Sequence, residues 1–382
     1  MKVTIIGTLP PIKGISPYCT ELLMALSKRV EVEFIGFKSI YPDFLYPGGT
    51  TFRDEKYEMP EIGNTSIRNI LAWYNPLSWL WAGLTVRGDI VHAQWWAHPL
   101  APVFFVTLFI AKLGGKKIII TVHNVQPHEK NRINTFLNNI VLRLGDSFIA
   151  HGGKNRESLS QIYNINQDEI AVIHHGILTP VTVRGITKED ARKFLNISSI
   201  KKVLLFFGNL RDYKGLDILL KAVMQIVKES ENVILLIAGQ SWEDWSKYQK
   251  IIDENKLEQY IIKKLDFIPP SEVEYYFSAS DLVILPYKYF DSQSGVGALA
   301  LPFKKPMVVT NVGGLSDFVK DKRAIAEPND PQDLAEVVIE VFRDETLLLK
   351  LAKDSEELLE ELNWDKIGEE TIKMYDKFCL RR

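Results

Sequence analysis

The chain alternates short, largely apolar runs with amphipathic segments. The runs fall at residues 3–6, 32–37, 89–93, 117–122, 147–150 and 170–173, and then at 203–207, 233–238, 264–269, 281–287 and 307–310. A run of this length without polar alternation marks a strand covered on both faces, as in a parallel sheet. Between the runs, Tyr18, Leu22, Ala25 and Leu26, and again Leu216, Leu219, Leu220 and Val223, recur at the spacing of one helix face. Ser16 followed by Pro17 supplies a cap and first-turn signal for the first of these helices. The pattern predicts an α/β fold of two doubly wound, Rossmann-like domains, and 382 residues is more than one core usually holds. The rhythm pauses over residues 176–200, which carry Pro180, Gly185 and Asn196. That pause sets the expected boundaries: a first domain over 1–178, a linker and first helix over 179–200, and a second domain over 201–363.

In open parallel sheets, ligands bind beyond the carboxyl ends of the strands, so the loops after the runs are the candidates for chemistry. The stretch VLLFFGNLRDYKGLDILLKAV places Gly208, Asn209, Arg211, Lys214 and Gly215 between a strand and a helix. Two cations beside a helix amino terminus suit an anion, and the glycines let the backbone approach it. The bland alternative is an ordinary turn with solvated charges. A second candidate is DSQSGVGALAL, in which Gln293 and Ser294 precede Gly295 and Val296 and Ser294 can cap a short helix. After the first run, TLPPIKGIS offers Gly14. The run at 117–122 ends in TVHN, which presents His123 at the edge of the sheet, as a structural or a ligand-facing residue. The pair His174 and His175 completes no metal spacing and reads as a turn. Trp73, Trp79, Trp81, Trp95 and Trp96 cluster in the first half, either as core or as a platform for a sugar or a membrane interface.

Composition narrows the class without naming it. Lys and Arg total 46 against 48 Asp and Glu, a net charge of -2 that gives no reason to invoke nucleic acid. Two cysteines, Cys19 and Cys379, lie at opposite ends, a usage that suits a reducing cytoplasm rather than a disulfide framework. The apolar stretch 99–113 is shorter than the roughly 20 residues needed to cross a bilayer, and reads as a buried helix with interfacial attachment open.

FFGNLRDYKGLDILLKA resembles the strand, loop and helix that open the nucleotide-binding domain of retaining glycosyltransferases of group 1, family 4. Further landmarks follow in the family's order: DIVHAQ, TVHN, LLIAGQ, LDFIPP, DLVILPY and PMVVTNVGGLSDFV. The terminal NWDKIGEETIKMYDKF resembles the helix, here 364–382, that packs back onto the first domain. The stretch after Asp291 departs from the family's two-glutamate motif: Ser292 and Leu299 occupy the glutamate positions, as in a QSG-containing subgroup.

The resemblance implies the glycosyltransferase-B architecture, two domains facing one another across a cleft. It implies transfer of a hexosyl group from a UDP or GDP sugar to a hydroxyl of a glycan or lipid-linked acceptor in polysaccharide biosynthesis. No cofactor is expected beyond the nucleotide-diphosphate sugar as co-substrate. No D-x-D occurs in the chain, so no metal is expected either. Arg211 and Lys214 would stabilise the departing diphosphate, and His123 would contact the transferred sugar. Gly14, Gly208, Asn209, Gly239, Phe267, Ile268, Gln293, Ser294, Gly295 and Val296 would complete the donor site, and Trp95 and Trp96 would join His123 on the acceptor side. A cytoplasmic enzyme with peripheral contact to the inner membrane face through its first domain is the expected setting. A nucleotide-sugar epimerase or hydrolase, or a non-catalytic nucleotide- or glycan-binding subunit, are the alternatives.

Overall fold

A computed structural model describes residues 1–12, 14–40, 62–63, 65–125, 132–177, 183–290 and 294–379. The chain divides into two compact units, Met1–Leu178 with Leu362–Arg382, and Thr179–Glu361.

In the first unit the strands are β1 (Lys2–Gly7), β2 (Glu31–Ser39), β3 (Thr65–Ala72), β4 (Ile90–Trp95), β5 (Lys117–Val122), β6 (Ser147–Ala150) and β7 (Ile170–Val172). They form a wholly parallel sheet in the order β3-β2-β1-β4-β5-β6-β7. The chain builds outward from β1 in one direction and then from β4 in the other, so the strand order reverses between β1 and β4. One side of the sheet packs Val91, Ala93 and Trp95 against Phe104 and Leu108 of the helix Ala101–Leu113. The other packs Val3, Ile5 and Ile90 against Leu22 and Leu23 of the helix Ser16–Ser27 and against Ile367 and Tyr375 of the terminal helix Trp364–Cys379.

β3 has no counterpart in the sequence reading, because TSIRNILA mixes polar and apolar residues in the manner of an edge strand. Residues 41–66, rich in Pro, Gly, Asp and Glu with no sustained period, lie largely outside the described residues. The stretch 99–113 does form a helix, Ala101–Leu113, but only one face is buried: Phe109 and Leu113 are exposed. Among the described residues no helix is long and apolar enough to cross a membrane.

In the second unit β8 (Lys202–Phe207), β9 (Val233–Ala238), β10 (Ile261–Lys264), β11 (Leu282–Leu285), β12 (Met307–Thr310) and β13 (Ile325–Ala326) form a second parallel sheet in the order β10-β9-β8-β11-β12-β13. Here the order reverses between β8 and β11. Residues leading into this unit are held by Glu274, which is 2% exposed. Its carboxylate accepts from the backbone N–H groups of Arg184 at 2.9 Å, Gly185 at 2.8 Å and Ile186 at 2.9 Å, and from Arg184 Nε at 3.1 Å. Burial works to raise the Glu274 carboxyl, but these donors outweigh it and hold the group below the ordinary range. Glu274→Gln puts an N–H against these donors and is expected to cost roughly 2 to 4 kcal/mol at pH 7. The wild-type advantage is fully present above the unfolded value of about 4.3 and is lost as pH falls through the lower folded value. Urea melts of both forms at pH 7 and pH 3.5 test this, and a difference independent of pH would refute it.

Candidate functional site

Strand order reverses beside β8 in the second unit, and the loops leaving β8 and β11 meet there. Gly208 follows β8 with φ +96°, and Gly239 follows β9 with φ +139°. A Cβ on Gly239 would sit 2.3 Å from the Gly208 carbonyl oxygen, so glycine at 239 is what lets the two turns lie together. A 3-10 turn, Asp212–Lys214, then delivers the chain to Gly215 (φ +71°), where a Cβ would strike the Pro286 carbonyl oxygen at 1.9 Å. This glycine presses the β8 loop onto the β11 loop.

That close approach buries Lys214, which is 6% exposed. Its Nζ lies 2.9 Å from the point a Gly208 Cβ would occupy, and Val296 Cγ2 lies 3.0 Å from the same point. The two turns singled out in the sequence therefore open onto one space. Among the described residues Lys214 Nζ has no hydrogen-bond or carboxylate partner, and the ring of Tyr287, 5.9 Å away, is its aromatic neighbour. The nearby carboxylates are engaged elsewhere: Lys288 takes both Asp212 and Asp217 at 3.0 Å. Burial, assisted by the Arg211 charge, lowers the Lys214 ammonium to about 8. Arg211 is exposed and lies over the Trp242 ring at 4.1 Å, also without a carboxylate partner among the described residues.

The other wall is the short helix Gly295–Ala300. Ser294 caps it, its Oγ accepting from the Gly297 N–H at 3.2 Å and hydrogen-bonded to Tyr287 Oη at 3.0 Å. Thr310 Oγ1 donates to the Tyr287 carbonyl at 2.6 Å, fixing that tyrosine from the neighbouring strand. The N–H groups of Gly295 and Val296 begin the helix and have no intrahelical acceptor. Tyr287 and Trp242 were not singled out in the sequence. Their signal was present, since each closely follows a strand of this sheet. Asn209 and Phe267 are exposed and Ile268 is partly buried, on the loops after β8 and β10. Gln293 and Ser292 lie outside the described residues. Leu299 is 9% exposed, so its side chain packs into the unit.

The first unit carries a different assembly. Parallel register brings His92 and Gln94 of β4, Thr121 of β5, and His123, His151 and His175, which follow β5, β6 and β7, to one side of the sheet. Tyr18, on the helix that Gly14 (φ +87°) precedes, packs against His123, His151 and His175 with ring centres 4.7, 5.3 and 4.8 Å away. The polar atoms form a chain: Tyr375 Oη to His92 Nδ1 at 2.6 Å, His92 Nε2 to Thr121 Oγ1 at 2.7 Å and to Gln94 Nε2 at 3.1 Å, Gln94 Oε1 to His123 Nε2 at 3.0 Å, His123 Nδ1 to His151 Nε2 at 3.3 Å, and His151 Nδ1 to the Ile173 carbonyl at 3.0 Å; the two ends of the Gln94 amide are interchangeable by a half-turn.

Hydrogen counting orients this chain. A carbonyl only accepts, so His151 Nδ1 carries the hydrogen, and a neutral His151 then accepts at Nε2 from His123 Nδ1–H. His123 is left with a bare Nε2. With the Gln94 amide nitrogen turned to that atom, every bond is met by neutral rings, and the donors run one way from Tyr375 to Ile173. With the amide oxygen there, the histidine pair would need an extra proton. Burial opposes that charge: it pushes His123 well below the ordinary range, helped by His151, His175 and His92, and pushes His151 down to about 3. The neutral chain stands, and His123 Nε2 is an acceptor engaged by the Gln94 amide, on a partly exposed ring at the edge of the sheet.

The placement of Trp95 corrects the acceptor reading. Its side chain is 1% exposed, packs on Phe104, and donates its indole N–H to Asn138 Oδ1 at 2.9 Å, so it is core and cannot stack on a sugar. Trp96 is partly buried against Phe37 and Phe104.

Residues 187–358 match the family described as Glycosyl transferases group 1, and residues 12–179 match Glycosyltransferase Family 4. An uncharacterized glycosyltransferase of Methanocaldococcus jannaschii is 27% identical over 230 residues, covering 58% of this chain and 57% of that protein. A D-inositol 3-phosphate glycosyltransferase of a Nocardioides species is 25% identical over 253 residues, covering 62% and 54%. The chain thus spans a little over half the length of these curated relatives. Among solved structures, Anabaena HepE in complex with UDP superposes with a TM-score of 0.71 at 16% identity, covering 99% of this chain and 100% of that one. Sucrose-phosphate synthase of Thermosynechococcus elongatus does so at 0.62 and 16%, covering 100% of each. The two parallel α/β sheets are those of the glycosyltransferase-B fold.

Proposed function

We propose that the chain, whose residues 187–358 match Glycosyl transferases group 1 and whose residues 12–179 match Glycosyltransferase Family 4, moves a hexosyl group from a nucleotide-diphosphate sugar to a hydroxyl of a glycan or lipid-linked acceptor, retaining the anomeric configuration. The observation that carries the donor half of this reading is Lys214, a buried ammonium without a counter-charge among the described residues, at a strand-order reversal. A protein keeps such a charge at a cost in stability, and an incoming diphosphate supplies the missing partner. Arg211 adds a second cation from an exposed position. Together they neutralise charge on the departing phosphate, which is the role a metal would otherwise fill.

In the proposed step the bond between the anomeric carbon and the phosphate oxygen breaks while the acceptor oxygen adds on the same face. The acceptor proton passes to the departing phosphate oxygen, so no protein nucleophile is assigned. A sugar hydroxyl takes the place of the Gln94 amide as donor to His123 Nε2, and His151 is the positioning residue of His123. A cytoplasmic setting follows from the nucleotide-sugar donor. HepE has been crystallised with UDP and with UDP-glucose, which makes uridine donors the first to try.

Thermal-shift screening against UDP and GDP sugars, with and without EDTA, is expected to give a donor that raises the melting temperature in both conditions. Acceptor trials with that donor should then yield a glycosylated product with retained configuration by NMR. Donor consumption without any acceptor would favour a hydrolase or epimerase, and donor binding without turnover across the acceptor panel would favour a binding subunit.

A further inference from the structure

The tryptophans of the first unit separate into two groups. Trp95 is core and Trp79 is partly buried, with its indole N–H donated to the Ala72 carbonyl at 2.7 Å, but Trp81 is 60% exposed. It lies on the helix Pro76–Leu84, PLSWLWAGL, which carries no charged side chain. Leu77 and Leu84 on the same helix are 73% and 71% exposed, and Leu80 and Tyr74 are also exposed. A surface helix of a globular domain normally turns a polar face to water.

This helix packs beside Ala101–Leu113. Each follows a strand of one parallel sheet and returns to its amino edge, so the two run side by side in the same direction. Gly83 lets them approach: a Cβ there would meet the Thr107 carbonyl oxygen and Ile110 Cβ at 2.7 Å. Phe109 and Leu113 of the second helix are exposed, and Phe105 stacks on Phe109. The result is one contiguous apolar surface, larger in kind than singly scattered leucines.

Part of the charge around it is paired: Arg68 and Arg87 with Glu33, and Lys112 with Asp146, whereas Lys116 and Lys117 have no carboxylate partner among the described residues. From residue 62 to residue 125 the basic residues are Arg68, Arg87, Lys112, Lys116 and Lys117, and the only acid is Asp89. Lys116 and Lys117 closely follow Leu113, where the second helix ends and β5 begins. A second copy of the chain is a poor match for this face: an isologous contact would offer it only apolar and positive groups in return. An anionic bilayer leaflet offers both complements at once, acyl chains for Leu77, Trp81 and Leu84 and phosphate headgroups for the basic end.

We propose that the paired helices Pro76–Leu84 and Ala101–Leu113 form a peripheral docking surface for anionic phospholipid membranes, with Trp81 and Leu84 inserted and Lys116 and Lys117 against headgroups. The proposal does not rest on the transferase reading, because binding is measured without donor or acceptor. The full chain is expected to co-sediment with vesicles of equal phosphatidylglycerol and phosphatidylcholine and at least tenfold less with phosphatidylcholine alone. Trp81→Ser with Leu84→Ser should reduce partitioning at least tenfold, and Lys116→Glu with Lys117→Glu should abolish the anionic preference. Each variant is first checked for a wild-type melting curve. A variant that melts early is replaced by Leu77→Ser or Leu113→Ser, whose side chains are 73% and 70% exposed. Failure of the wild type to bind either vesicle, or wild-type binding by the folded variants, overturns the proposal. So does a lipid-free dimer by light scattering that Trp81→Ser and Leu84→Ser dissolve, since the face would then be a contact between copies.

Discussion

Lys214→Met is expected to lower turnover by about 10² to 10³-fold while raising, not lowering, the melting temperature of the ligand-free protein. The two effects have one origin. Lys214 is 6% exposed, has no carboxylate partner among the described residues, and is pushed by burial to about 8. Folding therefore carries the cost of an uncompensated charge at neutral pH, and methionine, of similar length, removes it. Each kcal/mol recovered corresponds to a rise of roughly 2 to 4 °C in a domain of this size. The sign of the pH dependence follows from linkage. The unfolded lysine titrates near 10.4 and the folded one near 8, so between those values the unfolded chain binds more protons and wild-type stability rises with pH. The methionine variant lacks that rise. A diphosphate reverses the preference by favouring the ammonium, so affinity for UDP or GDP falls as pH climbs past 8. Calorimetric melts at pH 7 and pH 9.5 with and without nucleotide check all three statements, and a Lys214→Met protein that melts early and turns over normally would remove the residue from the site.

The β8 loop was legible because its parts are local. Gly208, Lys214 and Gly215 lie within one strand, turn and helix, and their residue types state what the backbone and the anion require. The partner loop was legible as a capped helix, but not the reason it meets Lys214. That depends on β11 lying next to β8, which is a property of sheet order and not of either stretch. Trp95 was misassigned for a reason the sequence contained: side chains alternate along a strand, so Trp95 shares a face with Val91 and Ala93, and His92 and Gln94 share the other. β3 and the helix Pro76–Leu84 escaped because one mixes polar residues as an edge strand does and the other is apolar on its outer face. The histidine chain was the hardest to see. His92, His123, His151 and His175 come from four strands, and only parallel register aligns them. The available signal was a histidine directly after the strands at 117–122 and 147–150.

His151→Phe is expected to lower turnover about 10- to 100-fold, with donor affinity in the second unit unchanged, because the substitution acts through the tautomer of His123. In the wild type the Ile173 carbonyl holds a hydrogen on His151 Nδ1, and His151 Nε2 in turn holds one on His123 Nδ1. Phenylalanine fills the space but accepts nothing. His123 is then free to carry its hydrogen on Nε2, toward the Gln94 amide oxygen, and the lone pair assigned to the sugar is lost. Glutamine at 151 can present an amide oxygen to His123 Nδ1, so His151→Gln should recover much of the loss, whereas a role in packing alone would favour phenylalanine over glutamine. Burial keeps both rings neutral well below pH 6.5, so wild-type turnover should stay level from pH 8 down past the ordinary histidine range and fall only in more acid solution, as the chain takes up a proton. The His123 Nε2 and Nδ1 shifts in 15N-labelled protein give the direct readout: Nδ1–H in the wild type and in His151→Gln, and a mixture or Nε2–H in His151→Phe. Equal turnover in all three proteins with an unchanged tautomer would leave His151 a structural residue.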